Sequence, residues 1–200
     1  MDIKIEVSAR HVHLSESDCL KLFGKAQLTF VRELSQKGQF LTAEKVTLKG
    51  LDESGKPNGR EIKNVAVLAP FRSESQVEVS LTDTYALKAK APIRDSGDLK
   101  GSGKIMLVAS DSDGKALGEI VLDAGLIVAK RHIHMPPEVA KKLKLKDRQI
   151  VSVEVDTADR SVIFKDVLIR VAESFSLAFH IDTDEANAAN IGLSSVGKIL

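Results

Sequence analysis

The 200-residue chain has no tryptophan, one tyrosine and a single cysteine, Cys19. One cysteine excludes an intrachain disulfide framework and a cysteine-based structural zinc site. Aromatic residues make up only 4%, which leaves little for base stacking or a sugar-binding platform. Net charge is missing as well: 29 Lys and Arg against 28 Asp and Glu leave a formal +1. Global electrostatics therefore give no case for nucleic acid or a membrane surface as partner, and any anion site must be local. No run approaches the roughly 18 apolar residues of a spanning helix. The longest apolar stretch, Gly125 to Ala129, reads as a buried strand. The N-terminal MDIKIEVSAR carries charges of both signs and no apolar h-region, so the expectation is no signal peptide and a cytoplasmic protein.

What is present is enough for a core, with 43% hydrophobic residues and 28% charged. Most of the chain reads as short strands: Ile3–Val7, Lys45–Lys49, Glu61–Leu68, Gln76–Leu81, Lys104–Ser110, Glu119–Val121, Gly125–Ala129, Gln149–Val155, Val162–Val171 and Ser176–Phe179. Turn signals separate them, among them Asp52-Glu53-Ser54-Gly55, Pro57-Asn58-Gly59, Ser96-Gly97-Asp98, Asp111-Ser112-Asp113-Gly114 and Asp123-Ala124-Gly125. Short helices are expected after Ser15 to Phe23, over Thr82–Lys88, from Pro136-Pro137 to about Leu145, and over Asp182–Asn190. No sustained βαβ alternation is visible, which argues against Rossmann and TIM-barrel folds. The pattern favours a mainly β protein of closed β architecture.

Four of the five histidines form two His-x-His pairs, His11/His13 and His132/His134, and the fifth, His180, ends an apolar strand. The pairs sit in a weak repeat: Val7-Ser-Ala-Arg-His-Val-His-Leu-Ser15 echoes Val128-Ala-Lys-Arg-His-Ile-His-Met-Pro136. A duplicated unit of this kind suggests two similar small barrels with the histidine pairs in related places. On a strand, residues i and i+2 share a face, so both imidazoles can meet one point. On a helix the same spacing would splay them by about 200°. Each pair on an extended segment is thus a natural half of a metal site, suited to zinc and its neighbours.

Gln76, Glu78 and Ser80 share one strand face, opposite Val77, Val79 and Leu81, so Glu78 can serve as a carboxylate ligand or base. Arg72, on a loop after Pro70, can offer a planar fork to phosphate. Cys19, on the apolar side of the first helix with Leu22 and Phe23, reads as core. Asp182, Asp184 and Glu185 read as acids complementing a helix N-terminus.

With these motifs the chain resembles the PduL-type phosphate acyltransferases, also called phosphotransacylases or phosphate propanoyltransferases. The stretches that carry the resemblance are SARHVHLS (8–15), LSQKGQF (34–40), VTLKG (46–50), QVEVSLTD (76–83), APIRDSGDLKGS (91–102), AKRHIHMPPE (129–138) and FHIDTDEANAA (179–189). The resemblance implies two β-barrel domains, one from 1–9 plus 130–200 and one from 10–129, with the active site between them. It implies a reversible reaction, acyl-CoA plus phosphate to acyl phosphate plus CoA, at two zinc ions per chain, with a short acyl group. His11 and His13 match the holders of the zinc that meets the CoA sulfur. His132, His134, His180 and Glu78 match the ligands of the second zinc, and Arg72 the phosphate-binding arginine. A homodimer and a metabolic link to an acetate or propanoate kinase are also implied. The run Ser73-Glu74-Ser75 departs from the family's basic and polar segment by adding an acid beside that arginine. The His-x-His motif begins too early for the N-terminal extension that addresses some members to microcompartments, which favours a free cytoplasmic enzyme.

Two other classes compete. A metal-dependent hydrolase is one, but the Asp that metallo-β-lactamase-like sites place two residues after the second histidine is Ser15 here. A cupin-like or other non-catalytic metal-binding β-barrel is the second. Two His-x-His pairs exceed what one cupin metal uses, and closed four-ligand sites would mark a structural role. No Ser-His or Cys-His nucleophile arrangement is visible, which fits direct transfer to phosphate better than an acyl-enzyme.

Overall fold

A computed structural model describes residues 1–111 and 113–200. The first half of the chain runs β1 (Asp2–Ser8), β2 (His11–His13), α1 (Glu16–Phe23), β3 (Phe30–Glu33), β4 (Phe40–Leu51), β5 (Pro57–Ala69), β6 (Gln76–Val79), α2 (Leu81–Leu87), β7 (Ile93–Arg94) and β8 (Gly103–Ser110). The second runs β9 (Ala116–Ala129), β10 (His132–Met135), α3 (Pro137–Leu143), β11 (Ile150–Val155), β12 (Val162–Val171), β13 (Ala178–Asp182), α4 (Thr183–Ala188) and β14 (Val196–Ile199). No helix among the described residues is long and apolar enough to cross a membrane.

The chain divides into two compact units. Unit 1 takes Met1–Ala9, Ser35–Lys37 and Lys130–Leu200; unit 2 takes Arg10–Leu34 and Gly38–Ala129. In unit 1 six strands close a barrel in the order β1-β13-β10-β12-β11-β14. Its core includes Ile3, Ile133, Met135, Val153, Ile169 and Phe179, alternate residues turned inward. Unit 2 closes its own six-stranded ring, β9-β6-β2-β5-β4-β8, with β3 added at β4 and β7 at β9. Its core includes Val12, Leu22, Leu48, Val67, Leu107 and Leu126. Full closure leaves neither barrel with an open edge within its ring.

Strand directions are the same in both rings. β2 runs parallel to β5 and antiparallel to β6, which is parallel to β9. β10 runs parallel to β12 and antiparallel to β13, which is parallel to β1. The repeat is therefore a duplication of the whole barrel, with one exchange. β1 leads the first copy in sequence yet closes the ring of the second; β9 leads the second copy yet closes the ring of the first.

Helix ends follow local chemistry. Ser15 caps α1 by accepting from the Asp18 N–H, and Gly24 closes it at φ +68°. Ser80 with Asp83, and Asp182 with Glu185, form reciprocal capping boxes on α2 and α4. Ser80 ends β6 at Val79, two residues before the expected end, because its hydroxyl is committed to the helix.

Two expected turns are strand instead. Asp123-Ala124-Gly125 lies inside β9, where pairings Ile105↔Leu122 and Gly103↔Leu126 leave a bulge. Gly125 has φ +144°, and a Cβ there would sit 2.8 Å from the Ser75 carbonyl oxygen, so the glycine serves close backbone approach. Pro57-Asn58-Gly59 opens β5, the reversal falling at Asp52–Lys56, where Asp52 Oδ1 accepts from the Ser54 and Lys56 N–H groups. In the expected turn over 111–114, Asp111 Oδ1 accepts from Asp113 N and Lys115 N, while Ser112 lies outside the described residues.

Candidate functional site

In unit 2, β2 lies between β5 and β6, and antiparallel register sets His11 opposite Glu78 and His13 opposite Gln76. The interleaved Val12 fills the barrel core on the other face, so both imidazoles turn to the same side. His11 and His13 stand edge to face at 5.0 Å, and His11 Nε2 is 3.6 Å from Glu78 Oε2. One ligand atom from each of His11, His13 and Glu78 falls within 4.8 Å of the others. All three residues are buried.

The carboxylate is held from behind. Glu78 Oε1 accepts from Gln76 Nε2 at 2.6 Å and from Ser96 Oγ at 2.7 Å. Arg72 Nη1 donates to the same Ser96 Oγ at 3.0 Å, and the Arg72 backbone N–H donates to Leu14 O. Burial by itself would raise the Glu78 carboxyl, but the adjacent His11, then His13 and the Ser96 hydroxyl, hold it well below the usual carboxylate range. Burial, followed by the charges of His11 and Arg72, pushes His13 down to about 3.

Unit 1 repeats the geometry with one residue type changed, His180 standing where unit 2 has Glu78. β10 lies between β12 and β13, and His132 is paired directly with His180. Glu78 and His180 thus occupy corresponding places, each opposite the first histidine of a His-x-His strand. The His132–His134, His132–His180 and His134–His180 ring centroids are 4.6, 5.2 and 4.7 Å apart. His132 Nδ1 donates to Lys130 O at 2.9 Å, so in the neutral ring Nε2 is the nitrogen that carries the lone pair. His134 stacks on Phe175 at 4.0 Å, and burial, then His132 and His180, push its pKa down to about 2. Glu6, opposite His180 on β1, places Oε2 3.3 Å from His180 Nε2, close enough to pair but misaligned for a hydrogen bond. Contact with His180 is the main reason Glu6 falls to about 2, with burial opposing and the Ser35 hydroxyl assisting.

Both groups fit a metal ion. Burial keeps His13 and His134 neutral at ordinary pH, as metal ligation requires. Among the described residues, His13 Nδ1 and His134 Nδ1 are buried without a hydrogen-bond partner. Such an orphan costs about 1–3 kcal/mol, a cost accepted more readily at sites that bind something. Imidazole with or without one carboxylate suits zinc and its transition-metal neighbours.

Glu78 therefore groups with His11 and His13, where the resemblance had assigned it to the metal of His132, His134 and His180. Each group thus offers three candidate ligand atoms. Ser96 and Glu6 escaped the sequence reading. Gln76 was visible as a face-mate of Glu78 on one strand, but no spacing links Ser96 to Glu78 or Glu6 to His180.

The two Arg-His-x-His motifs also share a support. Arg10 Nε donates to Asp83 at 2.9 and 3.0 Å, and Arg131 Nε pairs with Glu185 Oε1 at 2.8 Å. Each acid is the capping-box residue of the helix that follows the strand bearing the third ligand. The arginine before each pair thus ties its strand to that helix.

A family model described as phosphate propanoyltransferase matches residues 4–192. The phosphate propanoyltransferase of Thermotoga maritima is 50% identical over 199 residues, 99% of this chain and 89% of that protein. The chain belongs to the phosphate propanoyltransferase family. It is an enzyme, an acyltransferase. Phosphate propanoyltransferases of Clostridioides difficile, 48% identical over 99% of this chain and 88% of that protein, and of Enterococcus faecalis, 46% over 98% and 87%, are also similar. His11, His13, Arg72, Glu78, His132, His134 and His180 all lie within the span matched to the phosphate propanoyltransferase family.

Proposed function

We propose that this chain transfers a short acyl group, acetyl or propanoyl, between CoA and phosphate, with one zinc ion at each three-ligand group. Family membership supports phosphate acyltransfer. The observation that carries the finer reading is the buried His11–His13–Glu78 group, linked through Ser96 to Arg72. A thioester and an inorganic phosphate need two things here: a place for charge leaving on sulfur and a place for a dianion.

Bound zinc supplies Lewis acidity, which stabilises a thiolate leaving group and the charge of phosphate oxygens. His11, His13 and Glu78 would hold one ion; His132, His134 and His180 would hold the other. Arg72 presents its guanidinium to phosphate, binding two oxygens through parallel N–H donors and aiming the third at the carbonyl carbon. A phosphate oxygen forms the new C–O bond, the C–S bond breaks, and its electron pair leaves on the CoA sulfur. His13, held neutral, and His11 do not need to move a proton in this step. Glu78 stays ionised, its Oε1 fully occupied by Gln76 and Ser96.

The test is acyl phosphate formation from acetyl-CoA and propanoyl-CoA after exhaustive chelation. Activity should vanish with metal and return with zinc or cobalt(II). Full activity in a demonstrably metal-free sample would overturn the reading.

A further inference from the structure

We propose that Ser96 is a positioning residue that locks Glu78 into one-oxygen ligation and anchors the phosphate arginine to the same point. The inference rests on the functional reading above and extends it to a residue outside the ligand set. Ser96 lies in the turn after β7 and meets three side chains: Glu78 Oε1 at 2.7 Å, Arg72 Nη1 at 3.0 Å and Gln76 Nε2 at 3.0 Å.

The direction of every bond in this network is determined. The Gly97 N–H donates to Gln76 Oε1 at 2.7 Å, and a backbone N–H can only donate. That fixes the amide orientation, so the Gln76 NH2 faces Glu78 and Ser96. A guanidinium also has donors only. The Ser96 oxygen therefore receives both Arg72 and Gln76, using its two lone pairs, and its one proton must go to Glu78 Oε1. The hydroxyl is saturated and has a single permitted orientation.

Two consequences follow. Glu78 Oε1 receives two short hydrogen bonds, which leaves Oε2, the oxygen 3.6 Å from His11 Nε2, as the one available to a metal. Partners of this kind orient ligands and tune affinity, typically by about 10–100-fold. Arg72 is held by the same oxygen atom, so ligand and anion-binding arm keep a fixed spacing. Loss of the hydroxyl should disturb both at once.

The experiment compares the parent enzyme with Ser96→Ala and Ser96→Thr in two titrations that need no turnover. Cobalt(II) is titrated into the metal-stripped full chain, and inorganic phosphate is titrated calorimetrically into the zinc-loaded full chain. Ser96→Ala should weaken cobalt(II) at one of two sites by about 10-fold or more and weaken phosphate to a similar degree. Ser96→Thr, which keeps the hydroxyl, should recover most of both losses. Should Ser96→Ala fail to fold, Ser96→Gly, tolerable in a turn, takes its place. Unchanged cobalt(II) and phosphate binding overturn the proposal, and so does weakening of only one, since nothing then couples them. Because neither titration uses the reaction, an inactive parent enzyme would overturn the functional reading without deciding this one.

Discussion

Arg72 is the residue on which the reaction reading can be tested most directly. Its guanidinium is fastened at one nitrogen to Ser96, and its charge helps keep His13 neutral. Arg72→Ala should raise the phosphate KM by about 10-fold or more, with the acyl-CoA KM nearly unchanged. Arg72→Lys should recover only part, since a point charge cannot make two parallel hydrogen bonds. Steady-state kinetics with each substrate varied check both; unchanged phosphate kinetics in Arg72→Ala would remove the residue from the site. The corresponding position in the second barrel is identified by backbone pairing. Arg72 N donates to Leu14 O, and Ala172 N donates to Met135 O, one residue after each second histidine. Where the first copy carries the arginine, the second carries alanine. The two candidate groups thus share their strand geometry, and the Arg72 of the first has no arginine at the corresponding backbone position of the second.

At the scale of elements, each site is a strand triplet stabilised by a cap. Glu78 and His180, the third member of each candidate group, precede Ser80 and Asp182, the N-caps of α2 and α4, by two residues. The cap fixes where the strand stops, and so which residue faces the histidines. Ser80→Ala and Asp182→Ala should each lower stability by about 1 kcal/mol. Asp182→Ala also frees Glu185, so it should loosen the Arg131–Glu185 pair behind His132. Denaturant melts of the metal-stripped protein check the size of the loss, and no loss in either variant would show the caps to be incidental. Neither cap is legible in the sequence: Ser80 reads as a strand residue and Asp182 as an acid complementing the helix N-terminus, because both residue types suit those settings as well as a cap. Strands β3, β7 and β14 were not read, because two to four residues give no usable period. The bulge in β9 was read as a turn because Asp-Ala-Gly has turn chemistry in either setting.

For the whole molecule, burial of neutral histidines and ionised carboxylates predicts how stability depends on pH. His13 and His134 titrate at about 3 and about 2 when folded, below the 6.5 of a free imidazole. The unfolded chain therefore binds more protons than the folded one below pH 6.5, so stability present above that pH is lost as the pH falls. Glu6 and Glu44, both held near 2 against 4.5, add to the loss in the same direction below about pH 4.5. The metal-stripped protein should show a Tm that declines from pH 7 to pH 5, where carboxylates alone would contribute little. The double variant His13→Gln/His134→Gln should flatten that decline, and an equally steep decline in the variant would show the histidines are not its source.

By itself the sequence determined the class of the fold, because short runs of alternating apolar residues between turn signals can close only as small β structures. It also singled out the two His-x-His pairs and Glu78, because a spacing of two on an extended chain puts side chains on one face, and Arg72, because Pro70 ends the strand before it. Those are local properties, readable within a few residues. The grouping of ligands is not local. His11 lies 3.6 Å from Glu78 because antiparallel register between β2 and β6 sets them opposite each other. The equivalent register between β10 and β13 brings His180 to His132. Only closure of the two rings, with β1 and β9 exchanged between the repeats, decided those partners, since register depends on which strands pair and not on the composition of either strand.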